Sequence, residues 1–156
     1  MSDLVNGWIN ELCASEGLGY GRLDESGQWS LIGDDGMRCG LYVPEDSPMI
    51  FFVAELSPIP PSDRENFFAQ LLESNFLFED TGGAAFCIDQ ASNSVWLNYT
   101  APLTSLDALG FRNAFGTFLE TAGRWRAKFA GDHPVSGVGR QGDLQEDSPP
   151  MTGIRV

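Results

Sequence analysis

The sequence predicts an α+β domain built on a twisted antiparallel sheet, in the order helix, three strands, helix, two strands, helix. Apolar residues recur at helical spacing in three separate stretches, near residues 4–13, 67–75 and 111–129. Between them lie short runs rich in β-branched and aromatic residues, joined by polar turns, which favours antiparallel pairing. A Thr81-Gly82-Gly83 break then lets a helix stop and a strand start within a few residues, because glycine tolerates positive φ.

The first helix is carried by Leu4, Val5, Trp8, Ile9, Leu12 and Cys13, and Gly17 and Gly19 end it. Its apolar stripe is wide enough to serve a core on one side and a partner on the other. Gln28 to Ile32 reads as a strand, Asp34-Asp35-Gly36 as a turn, and Met37 to Val43 as a strand with Met37, Cys39, Leu41 and Val43 on one face. Pro44 to Pro48 breaks it. Met49 to Ala54 is apolar on both faces, so this strand should be covered twice, by helices, a second subunit or a bound peptide.

Pro58, Pro60 and Pro61 close that strand, and Ser62-Asp63-Arg64-Glu65 fits a capping box for the second helix. That helix carries Phe67, Phe68, Leu71, Leu72 and Asn75, and should run to the glycine break. Ala84 to Ile88 and Val95 to Thr100 read as strands around the Asp89–Ser94 turn. Thr104-Ser105-Leu106-Asp107 is a second capping box. It opens a long helix with one seam, Phe111, Phe115, Phe118, Ala122, Trp125 and Phe129. Gly110, Gly116 and Gly123 each weaken this helix by about 0.5–1 kcal/mol relative to alanine, so packing must hold it. Residues 1–130 therefore form one domain. Residues 131–156, rich in Gly, Pro, Asp and Ser, read as a flexible tail whose removal should leave stability unchanged.

The formal net charge is −13, and residues 1–110 hold three basic residues, Arg22, Arg38 and Arg64, against seventeen acidic ones. A field of that sign repels phosphate backbones and anionic lipid, which argues against nucleic acid and membranes and favours a neutral or basic partner. Cys13, Cys39 and Cys87 are odd in number and widely spaced, so buried free thiols in a reducing cytoplasm are expected. The N-terminus lacks a signal-peptide pattern and no apolar run approaches the ~18 residues that span a bilayer. The expected location is the cytoplasm.

Chemistry-bearing motifs are thin. Gly137-Val-Gly139-Arg-Gln-Gly142 has the letters of a dinucleotide loop but neither the strand before nor the helix after it. His133 is the lone histidine and lies in the tail, which excludes histidine-based triads and multi-histidine metal sites. The pairs Asp34/Asp35, Glu45/Asp46 and Glu79/Asp80 fall in turns or at helix ends and read as solvated surface. No catalytic, cofactor or metal constellation is expected, which points to a binding protein and not an enzyme.

The run LLESNFLFEDTGGAAFCIDQ, followed by VWLNYTAPLTSLD and the long last helix, resembles the class I type III secretion chaperones of the Tir chaperone family. The resemblance implies a homodimer that holds the N-terminal segment of a secreted effector extended and secretion-competent, with no nucleotide or metal. It maps effector contacts onto Trp8, Leu12, Leu41, Met49 and Phe51, and the dimer contact onto Phe68, Leu72, Phe76, Phe86 and Trp96. It leaves open a regulatory member that sequesters an anti-activator and couples secretion to transcription. A regulatory protein or the secretion ATPase are the further partners it implies.

Overall fold

A computed structural model describes residues 1–132. The elements are α1 (Ser2–Glu16), β1 (Gln28–Ile32), β2 (Arg38–Tyr42), β3 (Met49–Pro58), α2 (Arg64–Ser74), β4 (Ala85–Asp89), β5 (Ser94–Pro102), a 3-10 turn (Leu103–Ser105) and α3 (Ala108–Asp132). The predicted order of helices and strands is the observed one. All strand pairs are antiparallel, in the order β1-β2-β3-β5-β4, so β1 and β4 are the two edges.

Alternation along the strands decides which side is covered. Ile50, Phe52, Ala54 and Leu56 of β3 point to one face, beside Cys39 and Leu41 of β2 and Leu97 of β5. All are buried in the main core. Phe52 sits at its centre, within 6 Å of the Phe111, Phe115, Phe118 and Tyr99 rings. Trp8 of α1 stacks on Phe111, and Phe67 of α2 meets Phe129. The three helices thus gather on one face of the sheet, and the α3 seam is the spine of the core.

α1 is tied down by its polar side. Asn6 and Asn10 accept hydrogen bonds from the Leu23 and Gly21 backbone N–H groups at 2.8 and 3.4 Å, holding the returning chain along the helix. Gly40 of β2 lies against β1 so closely that a Cβ there would stand 2.2 Å from the Trp29 carbonyl oxygen. Only glycine fits that approach.

Several expectations need correcting. α2 stops at Ser74 rather than at the glycines, because the Asn75 side chain takes the chain elsewhere. Its Oδ1 accepts from the Phe86 N–H at 2.8 Å and its Nδ2 donates to the Phe86 carbonyl at 3.3 Å. Leu77 and Phe78 then adopt positive φ, a costly conformation for large side chains, before Gly82 and Gly83 turn the chain into β4. Neither capping box forms. Asp63 is itself left-handed at the start of α2 and makes no side-chain cap. The Asp107 carboxylate, not Thr104, accepts from the Gly110 N–H at 2.7 Å to open α3. β3 runs on to Pro58 through a register shift between Glu55 and Ser57. Cys87 is exposed, unlike Cys13 and Cys39, because it lies on the open face of an edge strand. α3 extends to Asp132, and the remainder of the expected tail, with His133 and the glycine motif at 137–142, lies outside the described residues.

Candidate functional site

The face of the sheet away from the helices is uncovered among the described residues. It carries half-buried Met49, Phe51 and Glu55 of β3, with Val53 buried among them, between Arg38 and Tyr42 of β2 and the buried Trp96 of β5. The Tyr42 and Phe51 rings lie 6.1 Å apart and both are half-buried. Arg38 closes one end of this apolar strip. Its guanidinium donates to both Glu55 carboxylate oxygens, at 2.6 and 2.8 Å, and lies 5.7 Å over the Trp96 ring. Hydrogen bonding from Arg38 holds the Glu55 carboxyl below the usual carboxylate range, against an opposing push from burial.

On the helical side, Trp8, Glu11 and Leu12 of α1 face Ala108, Leu109 and Arg112 of α3 across a cavity of about 230 Å³. Its floor is apolar and its rim carries one charge of each sign. A third feature lies around α2 and β4. Leu72 and Phe76 are 71% and 76% exposed, and Leu77, Phe78 and Ile88 add exposed apolar surface to the same end of the molecule.

The sequence-mapped residues divide on this frame. Met49 and Phe51 share the open sheet face. Trp8 and Leu12 line the cavity but are buried; Trp8 is 6% exposed, because Phe111 stacks on it at 5.6 Å. Leu41 has no exposed surface and packs beneath the helices. Phe68, Leu72 and Phe76 lie at the α2 end. Phe86 is core, edge-on to Trp125 at 4.7 Å, and Trp96 is covered on the open face by Arg38. Sequence reasoning missed Tyr42, Leu77, Phe78, Ile88 and Leu109. The run Phe76-Leu77-Phe78 was the available signal, since three consecutive large apolar residues cannot all point inward from one turn.

Among the described residues no three His, Cys, Asp or Glu side chains gather where a metal could sit. Burial pushes the Cys39 thiol up to about 11, which keeps it protonated and inert. What the surface offers is open backbone at Ser30 and Ile32 of β1, apolar strips and uncompensated carboxylates: the means to bind a chain.

Residues 8–126 match the Tir chaperone protein (CesT) family. The chain belongs to that family. This family member also shares its fold with chains in several solved complexes. The ExsC-ExsE complex contains a chain with 21% identity and a TM-score of 0.72, over 81% of this chain and 94% of that one. The HopA1-SchA chaperone-effector complex gives 16% identity and a TM-score of 0.63, over 80% and 94%. The ExoT-SpcS complex from Pseudomonas aeruginosa gives 19% identity and a TM-score of 0.57, over 80% and 99%. No curated protein matches by sequence. No helix among the described residues is long and apolar enough to cross a membrane.

Proposed function

We propose that this family member is a cytoplasmic, non-catalytic type III secretion chaperone, which works as a homodimer and holds the N-terminal segment of a secreted effector extended. One observation carries the reading: all three helices lie on one face, which leaves the half-buried Tyr42–Phe51 strip without a helix over it and the β1 edge open at Ser30 and Ile32. A folded partner would need one continuous patch. An extended segment can touch separate patches in turn, adding a strand at the edge and placing side chains on either side of it. The Trp8–Leu12 cavity and the Met49–Phe51 strip lie on opposite faces, and a segment crossing β1 reaches both. Leu41 supports that path from beneath.

The dimer reading rests on the α2 end. Phe68, Leu72 and Phe76, with Leu77, Phe78 and Ile88, form an exposed apolar surface of the kind that a second copy covers. Phe86 supports it from below, whereas Trp96 points to the opposite face of the sheet. Light scattering should give about twice 17.0 kDa. The dense acidic charge keeps such a surface soluble.

The functional test is Phe51→Asp, read by far-ultraviolet circular dichroism and by co-purification with the client's N-terminal segment. The fold should be unchanged and binding should weaken by more than about tenfold, because a desolvated carboxylate replaces an apolar contact. Undiminished binding would remove the open face from the client path. The identity of the captured partner separates an effector chaperone from a regulator of the same fold.

A further inference from the structure

The two sheet edges differ in what protects them. At β4, the outward N–H and carbonyl of Phe86 are both taken by the Asn75 side chain, so that edge is closed near its start. At β1 the closure is partial. Asp24 takes both outward groups of Gln28, accepting from its N–H at 2.9 Å and donating to its carbonyl at 2.7 Å. The outward groups of Ser30 and Ile32 make no such bond among the described residues. Gln28–Ile32 contains no proline and no charged side chain, pairs with β2 without a register shift, and leaves Ile32 71% exposed. Edge strands are commonly blunted by lysine, proline or a bulge, and an edge without them is ready to accept another strand.

Charge then says which strand. Two acidic pairs stand at the ends of β1, Asp24-Glu25 before it and Asp34-Asp35 after it. One member of each pair is occupied. Asp24 Oδ1 accepts from the Ser26 and Gln28 N–H groups, and Asp35 accepts from the Met37 N–H at 3.0 Å and faces Arg126. Glu25 and Asp34 are exposed and make neither a hydrogen bond nor an ion pair. The nearest following cation, Arg38, is committed to Glu55.

We propose that the β1 edge receives a client strand bracketed by basic residues: a short β-branched or apolar run with Lys or Arg at each end, meeting Glu25 and Asp34. This rests on the chaperone reading and adds the chemistry of the strand it binds. At about 3.3 Å per residue, a five-residue edge with its two ends calls for basic residues roughly six to eight positions apart. Because a carboxylate stands at each end, the pattern suits a strand entering in either direction.

The test uses the full-length protein and three synthetic peptides with a Val-Thr-Val-Thr-Val centre, ended on both sides by lysine, by glutamine or by glutamate. Binding is followed by ¹⁵N NMR titration, which detects millimolar affinities and reports the fold of each variant. All shifts should map to β1, and the lysine-ended peptide should bind about tenfold tighter than the glutamate-ended one at low salt. In the double variant Glu25→Gln/Asp34→Asn the preference should fall below about threefold, with the glutamine-ended peptide unaffected. Equal affinity for lysine and glutamate ends, or a full preference surviving in the double variant, overturns the bracket while leaving the edge as a docking site. Shifts at β4, or no binding by any peptide, overturn edge docking itself and the bracket with it.

Discussion

At one edge of the sheet β1 is held only at its start, where Asp24 bonds Gln28, and stays open at Ser30 and Ile32; at the other, β4 is fastened to the start of an irregular loop by a single side-chain amide. Asn75 offers Phe86 one acceptor and one donor, which is what a neighbouring strand residue would offer. A sheet edge can thus be closed by one residue placed at the right point, without a further strand. The contrast also separates two kinds of sticky surface. Around β4 the exposed groups are side chains, Leu72, Phe76 and Ile88, suited to another side-chain surface. Along β1 the open groups at Ser30 and Ile32 are main chain, suited to another main chain.

The comparison is most severely tested at Trp125, which packs edge-on to Phe86 and donates from Nε1 to the Asp80 carbonyl at 3.2 Å. Trp125→Ala should cost about 3–5 kcal/mol in urea denaturation, because a large buried ring leaves a cavity under β4. A loss below about 1.5 kcal/mol would show that the α3 seam does not prop this edge. Asn75→Ala is next, at about 1–3 kcal/mol, since it leaves a part-buried N–H and carbonyl without their protein partner. Hydrogen exchange at the Phe86 amide should quicken markedly. If that amide stays protected, something other than Asn75 closes β4.

Glu55→Gln should cost about 1 kcal/mol or less, being a half-exposed pair with good geometry. The sign of its pH dependence follows from the depressed carboxyl. Its contribution is present above the ordinary carboxylate value near 4 and is lost as pH falls through the lower folded value. Thermal midpoints of wild type and variant should therefore differ at pH 7 and converge in acid. The smallest effect on stability belongs to Ile32→Lys, within about 0.5 kcal/mol at so exposed a site. It should nonetheless blunt the β1 edge and weaken client-strand binding. Unchanged binding would move the docking path off this edge.

The order of elements was legible because hydrophobic period changes with secondary structure, and Phe111 to Phe129 keeps one seam through three glycines. Coverage was less legible. Trp8 lies on a wide stripe, but the stripe does not reveal that Phe111 stacks on it. Leu41 and Phe51 look alike in sequence, yet one points under the helices and the other to the open face. The end of α2 was misplaced because glycines are a visible stop, whereas the Asn75–Phe86 bonds join residues eleven apart and leave no local sign. The capping boxes failed for a related reason. Several Ser, Thr and Asp residues competed for each cap, and backbone geometry chose Asp107.

Gly40 gives the open edge an evolutionary asymmetry. With no room for a Cβ between it and the Trp29 carbonyl, the distance of β1 from β2 is fixed by an absence. The outward side chains of β1, Gln28, Ser30 and Ile32, have no such constraint. Descendants of this sequence could retune which chain they carry by drifting at those three positions. The rail on which the chain is laid would stay where it is.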